Sequence, residues 1–276
     1  MEEAKAENRF IDSHVHLDHI FSNHREWIFW LKGTGCLPVS WSFARHIESK
    51  TDILTYLSNH AGIIRTLSRT DLPCYYLAGI HPRNIPSDLA PEAISEMLLP
   101  YLDDPLCLGI GEIGLETGSR HEEEVFLAQM EMGREVVDRG KVLGVHTPRQ
   151  NKNRITLQTL SLLAAFVDIK THIVVDHCSL KTIGNVLAMG FKAGVTLSAE
   201  KATAKEVLQI IRNNDESIQQ IMLNTDSGTQ VHDDLFMFMQ SADLPDNIIT
   251  MITRTNAGWF YGIGGANKYP HGTGAL

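Results

Sequence analysis

Eight short, nearly continuous apolar runs punctuate the chain. They are residues 10–16 (FIDSHVH), 34–40 (TGCLPVS), 74–81 (CYYLAGIH), 107–115 (CLGIGEIGL), 141–146 (KVLGVH), 172–177 (HIVVDH), 192–199 (KAGVTLSA) and 221–226 (IMLNTD). Unbroken apolar character, rather than alternation, is what a strand covered on both faces of a parallel sheet shows. Helical apolar spacing fills the stretches between, at 44–67, 91–101, 122–139, 155–167, 180–189 and 202–212. Within 122–139, Val125, Phe126, Met130, Met132, Gly133, Val136 and Val137 make an approximate stripe. Glu122, Glu123, Glu124, Glu131, Arg134 and Glu135 take the solvated positions, and the Glu triplet falls in the first turn, where the helix dipole favours negative charge. The stretch 44–67 is long and is not expected to form one clean helix.

Strand then helix, about eight times over, is the pattern of an α/β protein of the (β/α)8 TIM-barrel type. Such a barrel takes about 250 residues, and the chain has 276. No linker-like composition divides it, so the expectation is one barrel domain over 1–263, followed by a flexible Gly-rich tail at 264–276. The active site of such a barrel lies at the C-terminal ends of its strands. His16, His81, Glu112, His146, His177 and Asp226 all fall in or near the last third of their runs. His14 and His16 are one residue apart on the first strand, so their side chains share a face and can share a metal ion.

Charge and composition narrow the function. Lys and Arg number 24 against 33 Asp and Glu, a formal net charge of −9, where a nonspecific nucleic-acid binder more often shows a basic face. No apolar run reaches the 18 or so residues of a membrane span. The N-terminal MEEAKAEN is charged and has no apolar core of a signal peptide, so the expected location is cytoplasmic. Cys36, Cys74, Cys107 and Cys178 have no zinc-finger or CxxC spacing and read as buried reduced thiols. Cys178 directly follows His177 and points to the other face. Arg149, Lys152 and Arg154 form a local basic cluster that suits either a phosphate site or a solvated loop. Trp27, Phe29 and Trp30 suit a pocket floor, a partner surface or core packing.

Six motifs, in order, carry a resemblance. They are IDSHVHLD at 11–18, AGIHP at 78–82, IGEIGL at 110–115, VHTP at 145–148, DHC at 176–178 and TD at 225–226, with NAGWFYG at 256–262 closing the set. Together these resemble the TatD-type metal-dependent hydrolases of the amidohydrolase superfamily, from about Arg9 to Gly262. The resemblance implies two divalent metal ions. His14, His16 and Asp226 would hold one, His146 and His177 the other, and Glu112 would bridge them. Histidine and carboxylate suit zinc, manganese, cobalt or iron, and magnesium less well. A water activated by such a pair is the expected nucleophile, with Asp226 as ligand and proton acceptor. A strand-end cap is the rival role for Asp226, since Ser227-Gly228 follow. His81 is implied to lie near the substrate, as a donor to a phosphate or leaving-group oxygen, with a structural histidine fixed by Pro82 as the rival. Glu112 sits in a Gly-flanked segment, where small neighbours leave room for a ligand. His19 and His24 read as loop residues rather than ligands.

The chain also departs from the family pattern. Gly114-Leu115-Glu116 stands where the family reads Gly-Leu-Asp, and Asn224-Thr225-Asp226 where it reads Glu-Thr-Asp. The segments after His146 and His177 differ too. A hydrolase is therefore a firmer expectation than any one substrate. Arg83, Arg149 and Lys152 tilt the reading toward a phosphoester, either nuclease-like or on a small phosphorylated molecule. The alternatives are hydrolysis of an amide C–N or lactone C–O bond, and a non-catalytic metal-binding barrel within a partner assembly. Oligomeric state is not legible.

Overall fold

The computed structural model describes residues 9–43 and 47–265. The charged segment at the N-terminus and all of the expected tail beyond Gly265 lie outside the described residues. Eight strands form one parallel sheet in the order β1 to β8: Phe10–Val15, Cys36–Trp41, Tyr75–Leu77, Cys107–Gly114, Val142–His146, Ile173–Val175, Lys192–Thr196 and Ile221–Asn224. The sheet curls into a nearly closed barrel. At the seam the His16 N–H donates to the Ser227 carbonyl (2.7 Å) and the Asp226 N–H to that of His14 (2.9 Å). The buried carboxylate of Asp12 on β1 tightens the seam by accepting from the Thr225 N–H (3.0 Å) and hydroxyl (2.6 Å). Burial pushes Asp12 up to about 7 despite these bonds.

The helices are α1 (Leu17–Asn23), α2 (Arg25–Thr34), α3 (Lys50–Ser68), α4 (Ile94–Leu102), α5 (Arg120–Glu131), α6 (Gly133–Asp138), α7 (Lys152–Leu163), α8 (Ile183–Ala188), α9 (Ala204–Asn213), α10 (Asp234–Ser241), α11 (Asp246–Thr250) and α12 (Asn256–Tyr261). As expected, 44–67 is not one helix throughout: residues 47–49 are not helical, and a single helix runs from Lys50 to Ser68. Ser49 and Asp52 form a reciprocal capping box that fixes its start. The stretch 122–139 divides at Met132 into α5 and α6. Glu122 is buried rather than solvated. Its carboxylate accepts from the N–H groups of Glu116, Thr117 and Gly118, each at 2.9 Å, and from the Thr117 hydroxyl at 2.6 Å. β2 starts at Cys36 rather than Thr34, because α2 runs to Thr34 and ends on Gly35 in the left-handed region (φ 72°).

Two apolar layers hold the fold. One lies between the strands and their outer helices and includes Phe10, Val15, Phe126, Val145, Val175 and Leu223. The other fills the barrel, from Ile11, Val39, Trp41 and Leu77 to Phe260 and Tyr261 of α12, which closes its lower end. Gly111, beside Glu112, and Gly144 on β5 make room for this inner layer. A Cβ on Gly111 would sit 2.9 Å from Leu77, and one on Gly144 would sit 2.5 Å from the Trp41 ring. Trp27 and Trp30 stack on each other (4.3 Å, 16°), and Trp30 meets Phe236 edge-on, so they pack α2 against α10. All four cysteines are buried, and Cys178 donates its thiol to the Val175 carbonyl, with burial pushing it up to about 12. No helix among the described residues is long and apolar enough to cross a membrane.

Candidate metal centre

Parallel strands that end together bring their last side chains to one mouth. There the structure gathers His14 from β1, His16 just beyond it, His81 after β3, Glu112 from β4, His146 from β5, His177 after β6 and Asp226 after β8. Glu112 lies at the middle, 2% exposed. Its Oε1 is 2.6 Å from His146 Nδ1, 3.2 Å from His177 Nε2 and 3.5 Å from His81 Nε2. Its Oε2 is 3.4 Å from His14 Nε2 and 4.0 Å from His16 Nε2. Asp226 Oδ1 is 2.9 Å from His16 Nε2 and 3.7 Å from His14 Nε2. The two carboxylate oxygens of Glu112 thus face two different histidine sets. His177 and Asp226 both adopt the left-handed backbone region (φ 58° and 54°), which costs a non-glycine residue about 1–2 kcal/mol.

Each histidine is oriented by its second nitrogen. His14 Nδ1 bonds Asp176 Oδ2 at 2.5 Å, and Asn224 Nδ2 donates to Asp176 Oδ1. A Cβ on Gly194 would fall 2.1 Å from Asp176 Oδ1, so glycine there makes space for the carboxylate. The His14 ring also stacks on Trp41 at 4.0 Å. His16 Nδ1 donates to the Trp41 carbonyl (2.9 Å), which turns its Nε2 to Asp226. His14 Nε2 is buried with no hydrogen-bond partner. Nitrogen lone pairs and carboxylate oxygens that converge in a buried site repel unless protons or cations lie between them. The titration behaviour registers that demand. Burial opposes charging of His14, but the Glu112 and Asp176 carboxylates outweigh it and raise the imidazole to about 10. Burial also pushes Glu112 up, but His81, His14 and His146 hold it well below the usual carboxylate range. The donor set, nitrogen plus carboxylate around an unpartnered ring nitrogen, fits divalent cations.

The other expected site residues divide. The Asp226 carboxylate turns to His16 and to Lys201 Nζ, so capping the strand end falls instead to Thr225 Oγ1, which accepts from the Ser227 N–H. His81 makes the structural contact of its rival role and also faces the cluster. Its Nδ1 accepts from the Arg83 N–H (3.0 Å) in the Pro82–Asn84 turn, while Nε2 faces Glu112. Burial lowers it to about 4, so it is neutral with its proton on Nε2. Arg83 and Arg149 line the mouth, each on an acid, Glu116 at 3.0 Å and Glu200 at 2.6 Å. Lys152 is not among the lining residues. Its ammonium donates to the His177 carbonyl (2.7 Å) and the Thr147 hydroxyl (3.3 Å), and burial lowers it to about 8, so it braces the His177 loop. Arg154 reaches the Thr117 carbonyl. His19 sits on α1 and not on a loop, donating to the Phe43 carbonyl, and His24 donates to that of Thr229.

Three further residues join the site. Asp176 was visible beside His177 but carried no role. Glu116, a departure from the family pattern, accepts from His146 Nε2 at 2.9 Å and from Arg83. Lys201 bonds Asp226 and lies 2.9 Å from His177 Nδ1. It stands on a loop past β7, where no apolar run points to it.

The model of the TatD-related DNase family matches residues 11–233. The chain belongs to this family. Membership makes it a metal-dependent hydrolase of the TatD type. A TatD-like protein from Archaeoglobus fulgidus is similar at 25% identity and a TM-score of 0.73, over 92% of this chain and 100% of that one. The phosphotriesterase homology protein from Escherichia coli, solved with phosphate in its active site, shares the fold at 15% identity and a TM-score of 0.67, over 92% and 99%. A β-aspartyl dipeptidase from Fervidobacterium islandicum shares it at 14% identity and a TM-score of 0.62, over 94% and 77%. No curated protein matches the sequence.

Proposed function

We propose that this TatD-family hydrolase cleaves a phosphoester at a centre of two divalent ions. His14, His16 and Asp226 would hold one ion, His146 and His177 the other, with Glu112 between them. The observation that carries this reading is the division of Glu112, with one oxygen toward His14 and His16 and the other toward His146 and His177. When bound, such ions polarise an electrophile and lower the pKa of water. The chain's own residues supply the rest. Asp226, at the open side of the cluster, accepts the proton from the attacking water. His81 donates from Nε2 to an oxygen of the phosphoryl group or of the leaving group. Arg83 and Arg149 hold the anion in place. Phosphate in the active site of the Escherichia coli relative is in keeping with this choice.

The test is elemental analysis of protein purified without chelator, followed by a panel of phosphoesters, lactones and amides. The expected result is about two divalent ions per chain, with phosphoester turnover that chelation abolishes and metal restores. Folded protein that binds no divalent ion under saturating conditions overturns the reading.

A further inference from the structure

Among the described residues, each Lys or Arg lining the mouth has an acid partner. Arg83 pairs with Glu116, Arg149 with Glu200 and Lys201 with Asp226. Lys152, the remaining cation of the expected phosphate cluster, is turned onto the His177 carbonyl. Among the described residues the mouth therefore offers no Lys or Arg without an acid partner, and the chain as a whole carries −9. Binding of a nucleic-acid strand draws most of its affinity from Lys and Arg that neutralise successive phosphates and release their counterions. Single strands also need aromatic faces on which bases stack. One aromatic ring other than histidine, Phe43, lines the cavity among the described residues. It is held by the rings of His16 (5.4 Å), His19 (5.6 Å) and His81 (4.8 Å). The cavity holds ≈ 250 Å³. That is below the usual range of about 300–1,000 Å³ for ligand pockets. Its upper wall is polar, with Ser198, Thr229 and Gln230 among its residues.

We infer that the site takes a compact phosphomonoester with a polar, hydroxyl-bearing remainder, and not a nucleic-acid strand. The inference rests on the phosphoester reading above. One dianionic phosphate suits this mouth because a paired arginine can exchange its carboxylate for a phosphate with little reorganisation. Arg83 is the first candidate, since its guanidinium stands beside Glu112 and His146 through Glu116. A strand would have to make that exchange repeatedly, in a mouth where each exchange leaves a carboxylate facing the next phosphate.

The experiment uses the full chain loaded with the divalent ion that elemental analysis finds. Turnover is measured on glycerol 3-phosphate and on 12-nucleotide single-stranded and duplex DNA. Binding of inorganic phosphate is followed by calorimetry, and binding of the same DNA by fluorescence anisotropy at 50 and 200 mM salt. The expected result is kcat/KM on the small ester at least 100-fold above that per DNA end, with a DNA Kd weaker than about 10⁻⁴ M. Arg83→Gln should weaken inorganic phosphate about tenfold. Glu200→Gln, which frees Arg149 from its acid, should strengthen DNA binding severalfold and steepen its salt dependence. DNA as the better substrate, or wild-type DNA binding that is tight and steeply salt-dependent, overturns the inference while leaving phosphoester hydrolysis standing. Turnover of lactones or amides alone, with no binding of inorganic phosphate, removes the phosphoester reading itself and the inference with it.

Discussion

Glu112 makes the sharpest single-residue test, because its carboxylate is within reach of His14, His16, His81, His146 and His177 together. Glu112→Gln keeps the shape and removes the charge that holds His14 and His146 up. The expected outcome is a metal content below two ions per chain and loss of most turnover, with a melting temperature close to wild type. Near-normal metal content and turnover would reduce Glu112 to a packing residue. Asp226→Asn separates proton transfer from binding, since Asn still offers an oxygen but cannot take a proton. A fall of about 10²–10⁴-fold in kcat with little change in KM is expected. A kcat within threefold of wild type would remove Asp226 from the chemistry. Lys201 tests the cation demand from the other side. Its ammonium donates to Asp226 and to His177 Nδ1, so the His177 proton is held on Nε2, facing Glu112. Lys201→Met lets Nδ1 donate to Thr196 Oγ1, 2.7 Å away, and bares Nε2. Divalent-ion affinity, measured by competition with a chromophoric chelator, should rise about tenfold, which is about 1.4 kcal/mol. Unchanged or weaker affinity would show that the lysine does not compete for these ligands.

The loop between β4 and α5 shows what elements add to this. Glu122, in the first turn of α5, gathers three successive backbone N–H groups and the Thr117 hydroxyl, and so fixes the segment that carries Glu116 to His146. Glu122→Ala leaves those part-buried donors without their acceptor, and a hydrogen bond to a charged group contributes about 1.5–3 kcal/mol. Thermal melts should drop by several degrees. Metal affinity should also weaken, because His146 loses its brace; an unchanged melt would mean water replaces the carboxylate at no cost. The sequence could not distinguish this Glu from its solvated neighbours Glu123 and Glu124, because its burial depends on a loop that folds back over the helix start. All eight strands were legible, and so was the gathering of His14, His16, His81, Glu112, His146, His177 and Asp226, because buried parallel strands are largely apolar and the polar side chains at their C-terminal ends share one mouth. α1, α2 and the helices after β8 were not read. The first is short, and α2 mixes its aromatics with Arg25, Glu26 and Lys32. The start of α3 inside 44–67 was not read, although Ser49 and Asp52 stand at capping-box spacing. Lys201 and Lys152 reach the site, or turn away from it, through loop geometry that periodicity does not encode.

At the scale of the whole barrel, stability and pH are linked through histidines that burial keeps neutral. His60 on α3 is the one best separated from the metal centre. It is 1% exposed, with Nε2 2.8 Å from Ser40 Oγ and Nδ1 3.2 Å from Ser42 Oγ, beside the rings of Tyr56 and Tyr76. Ser40 Oγ in turn accepts the Leu17 N–H at the start of α1 (2.9 Å), so this one side chain joins α3, β2 and α1. Burial lowers His60 from 6.5 to about 4, with His16 and His19 adding to the shift and Asp18 opposing it. The unfolded chain therefore binds a proton at His60 well before the folded one does. Stability from this group is complete above about pH 6.5 and is lost as pH falls toward 4, by ~3 kcal/mol in all and about 2 kcal/mol by pH 5. His81 and His177 are lowered too, by burial above all, and they titrate in the same direction. A comparison of wild type with His60→Gln isolates the one residue, because the others cancel. Denaturant unfolding at pH 7.5 and pH 5 should find the variant less stable at the higher pH, where it lacks the imidazole's fit between the two serines. Its further loss on going to pH 5 should be smaller than the wild type's by about 2 kcal/mol. Equal losses in the two proteins would show that His60 takes up its proton as readily folded as unfolded, and that acid weakens the barrel through the mouth alone.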